Sequence, residues 1–247
     1  MYVLARSGQL AKKLPRQLLI VDLIRYLVCV FRHFWLVTLF NRLRTLDPLP
    51  EGVGKNTVMH NLRGVKDLSV PRSHRIIRPL VAIDRVRDQQ KKKKVLTIGP
   101  RAEGELYNLV GYGFAKKNIR GLDLITYSPF VDLGDMHAMP YPDSSMDVII
   151  LGWVLTYSND NEQAAREVLR VAKDGAVIAI GVSREIRSKE ELQDKMGYLA
   201  GAERKIDNTE DILALFGNSV WNVYFRQDAE IEDKVSGVIA IFSVRKA

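Results

Sequence analysis

The stretch from Asp147 to Val182 constrains the fold more than any other part of the chain. A continuous apolar run, DVIIL, is followed by an amphipathic segment, Asn161–Ala172, which Asn159 or Asp160 is placed to cap. A second apolar run, Ala176–Val182, comes next. Short apolar runs on either side of one amphipathic helix predict a βαβ unit with two buried parallel strands.

The alternation extends in both directions. Upstream, Val95–Ile98 predicts a strand, Glu105–Phe114 a helix and Ile119–Ile125 a further strand. Downstream, Glu190–Leu199 and Thr209–Phe216 read as helices, with Thr209 as the cap of the second. Val220–Phe225 and Gly237–Val244 close the chain as two strands without a helix between them, which predicts an antiparallel hairpin at one edge. The expected fold class is therefore α/β, a doubly wound, mostly parallel sheet over residues 95–247 with a C-terminal antiparallel hairpin.

In such a sheet ligands bind beyond the carboxyl ends of the central strands. That rule selects Gly99–Gly104, the turn at Asp123, Gly134–Pro140 and Gly152–Tyr157. Asp123 stands 24 positions after Gly99, close to the spacing of ~20 residues at which a carboxylate meets a cofactor ribose in doubly wound folds. The segment GDMHAMPYPDSSMDVII, Gly134–Ile150, is more specific. It resembles the "GD…LPFPDxSFDVV" segment of class I S-adenosylmethionine-dependent methyltransferases, the small-molecule type in particular. Gly152-Trp-Val-Leu and Glu167-Val-Leu-Arg-Val-Ala-Lys-Asp-Gly-Ala-Val-Ile-Ala-Ile180 resemble the segments that follow it in that family.

The resemblance implies a Rossmann-like methyltransferase fold with S-adenosyl-L-methionine as cofactor. It assigns Asp135 to the adenine amino group, Met136 to the ring, and Gly152 and Trp153 to the neighbourhood of the methyl. Asp123 falls to the ribose, and Gly99, Pro100, Arg101, Glu103 and Gly104 to the methionine tail. The chain departs from the family pattern in three places. Thr97 occupies the position of a strand-end acid, Pro100-Arg-Ala-Glu-Gly104 replaces a glycine-rich turn, and the interval from Asp123 to Asp135 is too short for a full helix and strand. Glu103 or Glu105 could replace the missing acid, and Arg101 could pair with the methionine carboxylate as a bidentate fork. His137 and Tyr157 are the candidate bases for an acceptor hydroxyl. No metal-ligand constellation is present, since His33, His60 and His74 are scattered and Cys29 is the single cysteine.

The charge lies to one side of the chain. The net +8 divides into +14 over residues 1–94 and −6 over residues 95–247. Leu18–Phe40 is long enough to span a bilayer, but Asp22, Arg25, Arg32 and His33 interrupt it. It predicts a helix with a broad apolar face and a narrow polar stripe, in which Asp22 and Arg25 can pair. Residues 8–45 are expected to meet an anionic membrane surface, with Trp35 as an anchor, or to pack on the main domain or on a second copy in a homodimer. Nucleic acid is disfavoured because no aromatic–basic interleaving accompanies the charge. Residues 1–45 thus form a basic amphipathic segment, 46–94 a basic connecting region with short elements, and 95–247 the methyltransferase-like domain. A single cysteine and no convincing signal peptide point to a cytoplasmic location, peripheral to the membrane if the helix binds lipid. The expected function is methyl transfer to a small-molecule, glycan or lipid-linked acceptor. The alternative is a catalytically inactive methyltransferase-like module that binds a membrane or partner.

Overall fold

A computed structural model describes residues 15–47, 71–185, 206–230 and 235–246, with isolated positions 58, 62 and 68. Seven strands form the main sheet. In chain order they are β2 (Val95–Ile98), β3 (Ile119–Asp123), β5 (Val131–Leu133), β6 (Met146–Gly152), β7 (Ala172–Glu185), β8 (Val220–Gln227) and β9 (Val235–Val244). Their spatial order is β5-β3-β2-β6-β7-β9-β8. The first five are parallel, while β9 runs antiparallel to both β7 and β8. The chain builds outward from β2 to β5, then crosses back to lay β6 on the other side of β2. The topological switch point therefore falls between β2 and β6.

Helices cover both faces. On one, Ala164, Ala165, Val168 and Val171 of α5 (Asn161–Val171) and Ile212 and Leu213 of α6 (Thr209–Ala214) pack on inward residues of β6, β7 and β9. On the other lie α2 (Pro71–Ala82), the short α3 (Asp84–Arg87) and α4 (Gly104–Gly111), through Ile76, Ile77, Leu80, Val86, Leu106 and Leu109. The strands between are buried on both sides, which is why they read as unbroken apolar runs rather than alternating ones.

Several elements differ from the sequence expectation. The helix expected at Glu105–Phe114 runs from Gly104 to Gly111. The strand expected at Ile119–Ile125 ends at Asp123, and Ile125–Thr126 forms a separate strand, β4, paired with β1 (Arg44–Thr45). No helix separates β3 from β5, so the shortened unit crosses by a direct turn stabilised by the Thr126 and Ser128 hydroxyls. The cap of α6 is Asn208, not Thr209, and it forms a reciprocal capping box with Asp211. Within the expected connecting region 46–94, α2 is part of the sheet's own core. The helix expected at Glu190–Leu199 lies outside the described residues.

The N-terminal segment opens with a 3-10 turn, Arg16–Ile20, continues as α1 (Asp22–His33) and ends in a π-helical turn, Phe34–Leu39. Its polar stripe faces the domain. Arg25 is buried and donates to Asp22 Oδ1 at 2.5 Å and to the carbonyls of Leu19 and Ile20. His74 of α2 meets the same Asp22 carboxylate at 2.6 Å. Cys29 is fully buried here, and burial pushes its thiol up to about 12, which leaves it unreactive. No helix among the described residues is long and apolar enough to cross a membrane.

Candidate active site

The principal cleft opens at the switch point, beyond the carboxyl ends of β2, β3 and β6. It contains about 560 Å³ counted to its open mouth, and its lining includes Gly99, Arg101, Asp123, Asp135, Met136, Gly152, Trp153 and Tyr157. Ile98, Leu122, Leu124, Gly134 and Val154 complete the wall. These five were not singled out in the sequence, although each adjoins a residue or loop that was.

The turn after β2 is built by two left-handed residues, Gly99 (φ 69°) and Arg101 (φ 52°). A Cβ on Gly99 would lie 2.0 Å from Val154 Cγ1, so this backbone is packed directly against the loop after β6. The turn at Arg101 aims its backbone N–H at Asp123 Oδ2, 2.8 Å away. Ile125 N–H donates to the other oxygen at 3.3 Å. Burial dominates these bonds and raises the Asp123 carboxyl to about 6.

Asp135, in the loop after β5, is buried in the same lining. Its Oδ1 accepts from the His137 backbone N–H at 3.2 Å and lies 2.8 Å from His137 Nδ1. The other ring nitrogen, Nε2, is 2.7 Å from Ser158 Oγ. His137 therefore corrects the expectation of a catalytic base. Its ring is buried and outside the cleft lining, both nitrogens are engaged, by Asp135 and Ser158, and it clamps the β5–β6 loop to the segment after β6. Tyr157, half-buried, does line the cleft.

Glu103 requires a second correction. It is buried, but its carboxylate faces α1, where Arg32 binds both oxygens and Ser128 Oγ–H donates at 2.6 Å. The ion pair holds the Arg32 guanidinium firmly protonated. Pro100 and Gly104 also stand behind the cleft wall rather than in it. The buried acid on the cleft side of α4 is Glu105, which accepts a hydrogen bond from the Thr97 hydroxyl. A Cβ on Gly152 would approach Glu105 Oε2 to 3.4 Å, so this carboxylate sits beside the end of β6. Thr97, at the position where the family pattern has an acid, is thus hydrogen-bonded to a buried acid of the next helix, which is itself outside the cleft lining.

Trp153 takes a left-handed conformation (φ 59°), unusual for a bulky residue, and donates its backbone N–H to Gly181 O at 2.7 Å. Its indole lies back toward Gly181 and the guanidinium of Arg75, closing the floor of the cleft. Glu167 and Arg170 of α5 hold the rim. Met139 N–H donates to Glu167 at 2.7 Å, and Arg170 donates to the carbonyls of Met139 and Tyr141 and to Asp143. Among the described residues no group of three or more His, Cys, Asp or Glu side chains could hold a metal ion.

Comparison with known proteins bears on this arrangement. Residues 107–180 match the family model described as a methyltransferase domain. The segment from α4 into β7 is therefore similar in sequence to a methyltransferase domain. A stretch of 49 residues is 41% identical to ajmaline N-methyltransferase from Rauvolfia serpentina, covering 20% of this chain and 17% of that protein. The fold is similar to the N-methyltransferase NodS from Bradyrhizobium japonicum WM9, solved with S-adenosyl-l-homocysteine. That match has a TM-score of 0.54 and 15% identity, over 78% of this chain and 100% of NodS. A Galdieria sulphuraria protein provisionally called a sarcosine dimethylglycine methyltransferase gives a TM-score of 0.54 at 15% identity. It covers 73% of this chain and 88% of the other. The mostly parallel seven-stranded sheet with its C-terminal antiparallel hairpin fits the Rossmann-like methyltransferase fold.

Proposed function

We propose that the chain is an S-adenosylmethionine-dependent methyltransferase whose acceptor is a small molecule, glycan or lipid-linked sugar presented at a membrane face. The reading rests above all on two buried carboxylates, Asp123 after β3 and Asp135 after β5, lining one cleft, with Gly99 packed closely against the loop after β6. When bound, S-adenosylmethionine supplies an electrophilic sulfonium methyl for in-line displacement. Asp123 is suited to accept both ribose hydroxyls, and Asp135 to accept the adenine amino group. Glu105, backed by Thr97 and beside Gly152 of the cleft wall, is the acid suited to the ammonium of the methionine tail, and Arg101 of the lining is a fork for its carboxylate.

The rest of the site aligns the acceptor and excludes water, which is most of what this displacement requires. Trp153 and Val154 close one wall, and Tyr157 is the cleft residue placed to take a proton from an acceptor hydroxyl. Cys29, free and buried, suits the proposed cytoplasmic setting.

Label transfer from methyl-tritiated S-adenosylmethionine tests this reading. The full chain is offered a primary amine, a phenol and a short-chain glycolipid, with Asp123→Asn as the control. Transfer to one acceptor class, abolished by the substitution, is the expected result. Equal background labelling by both proteins across the panel would overturn it.

A further inference from the structure

The N-terminal helix is mounted inside out. Arg25 and Arg32 turn inward, to His74 and Glu103, Asp22 at the exposed helix start binds Arg25 and His74, and the large apolar residues turn outward. Leu23, Leu27, Phe31 and Phe34 recur at helical spacing along one face, which continues into Trp35 and Phe40. Leu23 is 66% exposed, Phe31 64% and Phe40 57%, and no described residue covers them. Phe31 stacks on Trp35 with ring centroids 6.0 Å apart, and Trp35 meets Phe40 at 5.5 Å, so the aromatic side chains form one connected surface. An apolar face of this extent marks an interaction site.

We propose that this face docks on an anionic lipid bilayer surface, with α1 lying in the headgroup–acyl boundary. The proposal deepens the membrane-face part of the proposed function, and its test reads binding rather than methyl transfer. Charge complementarity selects lipid over a second copy. The exposed charged side chains flanking the face are Arg16 and Asp22 at its start, Asp22 being paired with Arg25, and Arg42 and Arg44 after it, with Asp47 beyond. An antiparallel pair of such helices in a two-fold dimer would set Arg16 of each copy against Arg42 and Arg44 of the other. Anionic headgroups instead meet cations at both ends of the helix, and aromatic residues between them occupy the depth where such rings anchor.

Position supports the same occupant. Leu36, Val37 and Leu43 pack on Ile125 and Tyr127, and Leu46 N–H donates to the carbonyl of Leu124, which lines the cleft. The docking face and the cleft mouth are thus joined through the β1–β4 ladder. The Arg32–Glu103 pair also ties α1 to the loop after β2. An acceptor held in the bilayer surface would meet the cleft at its rim.

Flotation of the full chain with vesicles of phosphatidylcholine, with and without phosphatidylserine, tests the proposal alongside light scattering of the free protein. The expected result is a monomer that floats with the phosphatidylserine vesicles. Leu27→Glu with Phe31→Glu should weaken that binding more than about tenfold. Arg42→Ala with Arg44→Ala should weaken it about fivefold per arginine on anionic vesicles alone. The arginine pair keeps the test decisive if the glutamate variant fails to fold. No flotation with either vesicle would overturn the proposal. So would a dimer dissolved by the glutamate variant without any lipid binding, or flotation indifferent to phosphatidylserine and to the arginines.

Discussion

Replacing Asp123 by Asn should make the ligand-free protein more stable at neutral pH while removing its hold on cofactor. Asp123 is fully enclosed, and burial raises its carboxyl from the ordinary 3.8 to about 6 despite two backbone N–H donors. Well below pH 3.8 the group is protonated whether the chain is folded or not, and its charge costs nothing. Above pH 6 it is ionised in both states, and the folded protein bears the full cost of the buried charge. The gap between 3.8 and about 6 corresponds to about 3 kcal/mol, lost progressively as pH rises between those values. Asn can still accept from Arg101 N–H, but its amide group would face Ile125 N–H, which returns about 1 kcal/mol of the gain. Asp123→Asn should therefore be about 2 kcal/mol more stable than the wild type at pH 8 and about half a kcal/mol less stable at pH 4. Urea unfolding of both proteins at a series of pH values between 4 and 8 measures the difference directly. A difference that stays constant across that range would refute the reasoning, because only a titrating buried charge makes it grow with pH.

Three further outcomes follow from the geometry. Arg32→Ala leaves Glu103 buried with Ser128 as its remaining side-chain donor and should cost about 2–3 kcal/mol in urea unfolding, part of which Glu103→Gln in the same background recovers. Gly99→Ala places a Cβ into Val154 on a left-handed backbone and should cost about 3 kcal/mol, and Val154→Ala should restore the steric part of that loss but not the conformational part. Arg170→Ala releases the carbonyls of Met139 and Tyr141 and should cost about 2 kcal/mol, with faster amide exchange confined to residues 138–145.

The sequence carried the parts of this fold whose signals are local. β6, α5 and β7 are legible because buried parallel strands are continuously apolar and α5 has one apolar stripe closed by the Asp160 cap. Asp123 and Asp135 were legible from strand-end position and motif, and both reach the cleft. Residues whose roles depend on distant partners were not legible. Glu103 and Glu105 are both buried acids in one short segment, and only the placement of α1 on one side and Thr97 on the other separates their roles. His137 sits in the right loop, but its engagement by Ser158, 21 residues away, turns it from a base into a clamp. Helix α2 was hidden because Pro79 and its arginines break the apolar pattern, although Ile76, Ile77 and Leu80 mark its inner face. The stripe on α1 was visible, but which face meets the protein depends on Glu103 and His74, 71 and 52 positions from their partners Arg32 and Asp22.

The central claim is that the cleft between β2 and β6 binds the methyl donor. Calorimetric titration of S-adenosylhomocysteine into the full chain at pH 8 tests it most directly, with Asp135→Asn and Asp123→Asn measured alongside. The account predicts saturable one-to-one binding that each substitution weakens by at least about tenfold, the loss of one charge-assisted hydrogen bond. No heat and no thermal shift at millimolar ligand, or binding unchanged by both substitutions, would contradict it.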